Sequence, residues 1–170
     1  PKPQKWEKDT TIDTLREATQ GRSVPLVMHP AGLRERWGIQ KDGSKYGPIP
    51  GPPQAIWEAL GAEIVRAEGP YNLGPGCWTT GFVPRLSFET SGISKNRFYR
   101  AAGQASENNP FIPDYLEDDQ AIAIRVQDKG LVIVSGCAHA GILNTIRHAQ
   151  TISGVDKVWA ILGGFHLARA

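Results

Sequence analysis

Two apolar runs in the last third of the chain constrain its fold more than any other feature. Residues 131–135 and 157–162 each read as a buried strand, and between them Ile142, Ile146, Ala149 and Ile152 recur at the spacing of one helix face until Gly154 stops the helix. A strand, a helix and a second strand of these lengths form a βαβ unit, whose crossover makes the strands parallel and almost always right-handed. Because a parallel pair needs helices over its faces, the chain is expected to be an α/β protein. Residues 120–126 add a third strand, turned back onto 131–135 as a hairpin through Gln127-Asp128-Lys129-Gly130.

This topology places candidate chemistry. His139 follows the first parallel strand in Gly136-Cys137-Ala138-His139-Ala140, and His166 follows the second in Gly163-Gly164-Phe165-His166. Parallel strands send their carboxyl ends to one edge of the sheet, where α/β proteins place ligands, so both imidazoles are expected at the same rim. Neutral imidazole is the commonest protein metal ligand, and two of them with one more donor and an open position make a catalytic zinc-type site. Cys137, two residues before His139, is the candidate third donor, weighed against the alternative of a buried small hydrophobe. His29, followed by Pro30, and His148, off the apolar helix face, read as surface or capping residues rather than ligands.

Upstream the pattern is less regular. Residues 12–20 read as a short helix, 24–28 as a strand and 63–67 as another, whereas 38–53 is loaded with Gly, Pro and Lys and is expected to be an exposed loop and a candidate lid. Pro52-Pro53 opens a helix that Gly61 closes. Residues 69–76 are turn-rich and lead into Cys77-Trp78-Thr79-Thr80-Gly81-Phe82. Residues 91–118 lack a period, contain Asn108-Asn109-Pro110, and are expected to form a long surface excursion.

With 170 residues, 40% of them hydrophobic, the chain is long enough for one core, and a single domain over 1–170 is expected. The 19 Lys and Arg nearly balance the 17 Asp and Glu, and they are scattered along the sequence rather than gathered into a phosphate-tracking stripe, which argues against nucleic acid as a partner. No apolar run reaches the ~18 residues of a membrane span, and no charged start precedes an apolar stretch, so a soluble, cytoplasmic protein is expected. The chain opens at Pro1 without Met, and an upstream segment is therefore also expected. Two cysteines, Cys77 and Cys137, are too few for a disulfide scaffold and leave at most one disulfide.

The run from Gly130 through Val134-Ser135-Gly136-Cys137-Ala138-His139 to Ile146, with Leu162-Gly163-Gly164-Phe165-His166-Leu167, resembles the metallo-β-lactamase superfamily. It is similar to the dihydropterin ribofuranosyl-aminobenzene phosphate synthase-like subgroup, in which a GC(S/A)H motif and a GGFHL motif close the metal site. Asp118-Asp119-Gln120-Ala121, Thr80-Gly81-Phe82-Val83-Pro84-Arg85 and Val24-Pro25-Leu26-Val27-Met28-His29-Pro30 resemble the same subgroup, so the likeness runs over most of the chain. The resemblance implies an αββα sandwich, incomplete at its N-terminus here, a metal-dependent hydrolase ancestry, and ligand roles for His139 and His166. Zinc is the implied cofactor, with iron or manganese as alternatives, and Cys137 is a candidate for the place where other branches carry a metal-bridging Asp.

One departure is as informative as the match. The family's first signature, HxHxDH, should precede the helix before Val24; Asp9 echoes its acidic member, but no histidine precedes His29. His139, His166 and Cys137 cannot alone build a dinuclear site, so mononuclear binding is the expectation. Three readings follow. The first is a hydrolase whose metal-activated water attacks a small ester, lactone or phosphate-bearing substrate, with Arg85 orienting an anionic group. The second is a non-catalytic remnant serving as a binding module, and the third makes Cys137 a nucleophile activated by His139. A half-built sandwich would leave an apolar sheet face uncovered, and a homodimer is the expected remedy.

Overall fold

The computed structural model describes residues 16–17, 19–20, 22–49, 53–89, 97–100 and 110–165. Along the chain its elements are β1 (Val24–Met28), β2 (Arg36–Ile39), β3 (Lys45–Tyr46), α1 (Gln54–Ala59), β4 (Ala62–Arg66), β5 (Tyr71–Gly74), β6 (Cys77–Thr79), β7 (Arg97–Tyr99), β8 (Ile112–Pro113), β9 (Ala121–Val126), β10 (Gly130–Ser135), α2 (Ile142–Ser153) and β11 (Val158–Leu162). Contacts divide them into two compact units, one drawn from residues up to 27, 33–66 and 96–113, the other from 28–32, 67–95 and 114 onward.

The second unit is built on a five-stranded sheet in the order β11-β10-β9-β6-β5. β10 pairs parallel with β11 and antiparallel with β9, so the expected hairpin and βαβ unit are both present. Alternation along β9 and β10 turns Ala121, Ala123, Leu131 and Ile133 to one face, where each is at most 2% exposed against Ala149 of α2. Alanines on the strand and the helix let the two backbones approach closely, and Trp78, Ile146, Val155 and Val158 fill the margins of this core. Gly154, at φ 66°, ends α2 in the left-handed conformation that its sequence predicts. On the opposite sheet face Ile122, Val134 and Leu162 lie side by side across β9, β10 and β11 and are 38%, 37% and 56% exposed.

The helix face differs in one respect from its apolar periodicity: Asn144 and Thr145 are buried with Ala149. Both are satisfied within the fold, since the Thr145 hydroxyl donates to Gly141 O at 2.9 Å and the Asn144 amide bonds to three backbone groups. Hydrogen bonding, which hydrophobic periodicity does not register, admits them to the interior.

The first unit holds the two-stranded pairing of β1 with β4 and a four-stranded sheet ordered β3-β2-β7-β8. That sheet corrects two expectations. Within 38–53, residues of β2 and β3 form an antiparallel hairpin around the turn at 40–44, and within 91–118, β7 and β8 pair with each other while β7 pairs with β2. Strands of two to four residues are too short to show a period, and the β7 partner of β2 lies far off in sequence, so composition alone reads as loop. Residues 69–76 are corrected likewise, because β5 pairs with β6. Of the expected helix over 12–20, Arg16, Glu17 and Thr19 are helical, and the rest lies outside the described residues. Cys77 and Cys137 are free thiols, with no disulfide between them.

Candidate functional site

The loop between β10 and α2 belongs to the second unit and is fixed from three sides. It begins where β10 ends at Ser135, and Ala138 takes a left-handed φ of 52° although it carries a side chain. Such a backbone costs on the order of 1–2 kcal/mol and persists where its surroundings over-determine it. Two charged side chains supply that determination. The Asp119 carboxylate accepts the His139 backbone N–H through Oδ2. The Arg85 guanidinium donates through Nη2 to the Tyr115 carbonyl and, at 3.4 Å, to the His139 carbonyl. An anion thus holds the N–H of His139 and a cation its C=O, so the imidazole hangs from a peptide clamped on both sides.

The exit of the loop is held as firmly. Gly141, the residue before α2, has no side chain to cap the helix, and Glu89 takes that part: its Oε2 accepts the Leu143 N–H at 2.9 Å and the Asn144 N–H at 3.2 Å. A negative charge on the first free amides also suits the helix dipole. Gly141 sits at φ 97°, and a Cβ there would lie 2.4 Å from Glu89 Oε2, so the cap requires glycine on both conformational and steric grounds. Asn144 completes the lock, accepting the Leu86 and Ser87 N–H groups at 2.9 and 2.7 Å while donating to Ala140 O at 2.7 Å.

The segment after β11 returns to this loop. Gly164 donates its N–H to Gly136 O at 2.8 Å, and Gly163, at φ 143°, passes so close that a Cβ would lie 2.1 Å from Ser135 O. The backbone just ahead of position 166 is therefore tied to the loop that carries Cys137 and His139.

The residues singled out from sequence fall as follows. His139 is half-buried with Nδ1 shielded from solvent, and Cys137 is an exposed free thiol. His166 lies outside the described residues. Arg85 is half-buried and bound to two carbonyls, and its Nε is buried without a hydrogen-bond partner among the described residues. His29 does cap, its Nδ1 accepting the Ala31 N–H at 3.1 Å, but it is buried rather than at the surface. His148 is half-buried and neither surface nor cap: Nε2 lies 3.1 Å from the Thr80 carbonyl. Among the described residues, no group of three His, Cys, Asp or Glu side chains is placed to hold a metal ion. Asp119, Glu89 and Asn144 carry the loop, and sequence reading assigned none of them a role. Glu89 acts 54 residues away on an amide, a relation that no local pattern encodes.

Comparison with known proteins follows this geometry. No protein-family model matches the chain. It is 32% identical over 155 residues, 88% of its length, to the 7,8-dihydropterin-6-methyl-4-(beta-D-ribofuranosyl)-aminobenzene-5'-phosphate synthase of Methanocaldococcus jannaschii, covering 49% of that protein. An uncharacterized protein of the same organism is 26% identical over 106 residues, which is 62% of this chain and 35% of that protein. In structure the chain is similar to Tm1679, a metal-dependent hydrolase of the β-lactamase superfamily, with a TM-score of 0.63 and 17% identity over 88% of this chain and 51% of that one. The chain thus spans at most about half the length of the relatives it matches.

Proposed function

Because the fold is metallo-β-lactamase-like and the chain is related to the dihydropterin synthase-like subgroup, we propose that it acts in a metal-dependent hydrolase. In this reading His139 and His166 are metal ligands and Cys137 a further donor. A metal bound there would supply a water of lowered pKa for attack on an ester, lactone or phosphate-bearing substrate. The chain's own residues hold the donor in place: Asp119 and Arg85 fix the His139 peptide, and Glu89 and Asn144 fix the helix that follows. The observation that supports the reading best is the Gly164 N–H on the Gly136 carbonyl, which joins the two glycine-rich segments ahead of the two histidines. The synthase name of the M. jannaschii relative favours a substrate that carries a phosphate.

Metal analysis tests this directly. Purified protein reconstituted with zinc, iron or manganese is expected to retain about one ion per chain, as a mononuclear site does. His139→Ala and His166→Ala should each lose it, and cobalt-loaded protein should lose its thiolate absorption in Cys137→Ala. Retention of no metal under any of these conditions overturns the proposal in favour of the non-catalytic remnant. The absence of a three-donor group among the described residues is the observation that keeps that second reading in view. An activity abolished by alkylating Cys137 with the metal still bound would point instead to a thiol nucleophile.

A further inference from the structure

The four-stranded sheet of the first unit gathers cations over aromatic rings. Strand pairing sets Trp37 opposite Phe98 and Ile39 opposite Lys45, and alternation puts Trp37, Phe98 and Lys45 on one face. On that face the Trp37 and Phe111 rings meet nearly at right angles, 78° apart with centroids at 5.4 Å. The Arg100 guanidinium occupies the corner they make, 4.9 Å from the Trp37 centroid and 4.3 Å from that of Phe111. Lys45 Nζ lies 4.1 Å from the same Phe111 centroid. On the same sheet Arg34 stands over Tyr99 at 4.3 Å. Significant cation–aromatic contacts occur roughly once per 70–80 residues, and four of them are concentrated on this one short sheet.

Among the described residues neither Lys45 nor Arg100 has a carboxylate at ion-pair distance. The nearby Glu35 spends Oε1 on the Trp37 indole N–H, at 2.9 Å. Arg100 Nε is moreover buried without a hydrogen-bond partner among the described residues, a state that burial penalises. Both cations are left with a ring face and no carboxylate among the described residues, and an oxyanion of high charge is the ligand that offers each a counter-charge. A guanidinium fork and a compact ammonium on one sheet face suit phosphate geometry better than a single carboxylate, and aromatic walls lower the local dielectric and so strengthen the contact.

We propose that the Arg100–Lys45 corner over Phe111 binds a ligand bearing a phosphate monoester. This inference is independent of the metal-centre reading and uses none of its residues. Isothermal titration of the 170-residue protein with phenyl phosphate at low ionic strength tests it, with the change in Trp37 fluorescence assigned through Trp37→Phe. Saturable binding is expected, and Lys45→Gln and Arg100→Gln should each weaken it about tenfold or more, the loss of one charge-assisted hydrogen bond. Lys41→Gln, which removes the same charge from the neighbouring turn, should leave affinity within about twofold if the corner rather than net charge is recognised. Should Arg100→Gln fail to fold, Lys45→Gln alone carries the test, because Lys45 is exposed. Absence of saturable binding at millimolar phenyl phosphate overturns the proposal, as does binding that the corner substitutions leave unchanged.

Discussion

The two sheets of this protein are stabilised in different ways. In the five-stranded sheet, β9 and β10 run six residues each, alternate cleanly and bury Ala123, Leu131 and Ile133 completely beneath α2. In the four-stranded sheet the strands run two to four residues, and its aromatic side chains are half-buried or exposed, with cations set against them. The first sheet derives stability from apolar area removed from water, the second from specific contacts between ring faces and charges. The lesson is that a rigid, dry support lies under the candidate metal loop, whereas the polar-aromatic sheet keeps its charges available to a ligand.

The largest effect that sharpens this contrast is expected at Ile133. Replacing it by alanine opens a cavity in a site with no exposure, and urea unfolding followed by circular dichroism should show a loss of about 2–5 kcal/mol. A loss well under 1 kcal/mol would mean that the five-stranded sheet is not the dry core described above. A smaller effect is expected at the loop that sheet supports. Asp119→Ala removes the charged acceptor from the His139 N–H and should cost about 1.5–3 kcal/mol. Asp119→Asn, which keeps an acceptor oxygen, should restore much of that. If the two variants are equally destabilised, the carboxylate acts through its charge and not by holding the peptide.

The smallest effect belongs to the other sheet, at the β2–β3 turn. The Ser44 hydroxyl and then the Ser44 backbone N–H donate to Asp42 and hold its carboxyl below the usual carboxylate range. A carboxyl depressed in the folded state adds stability that is present above its unfolded pKa and lost as pH falls through the folded value. The Ser44 amide, followed by NMR during acid titration, should therefore shift below the ordinary Asp range, with little change in global stability because the group is fully exposed. An amide that titrates at the ordinary Asp pKa would remove the turn from this account.

Legibility from sequence followed the same division. The hairpin of β9 and β10, the helix α2 with its Gly154 terminus, and the parallel return of β11 could all be read because each is longer than the period that announces it. The loop positions of Cys137 and His139 followed from that reading. The β2–β3–β7–β8 sheet could not be read, since Lys45–Tyr46 and Ile112–Pro113 are shorter than one full alternation. Lys45 and Arg100, far apart in the chain, both reach Phe111 there.

By itself, then, the sequence determined the βαβ unit, the edge at which its loops emerge and the resemblance carried by the two glycine–histidine motifs, because local periodicity and motif spacing are properties of neighbouring residues. The tertiary structure alone decided that Asp119 and Arg85 clamp the His139 peptide, that Glu89 caps α2 from 54 residues away, and that Lys45, Arg100, Trp37 and Phe111 share one corner. Those contacts join residues distant in the chain, and only the folding of one strand onto another brings them within reach.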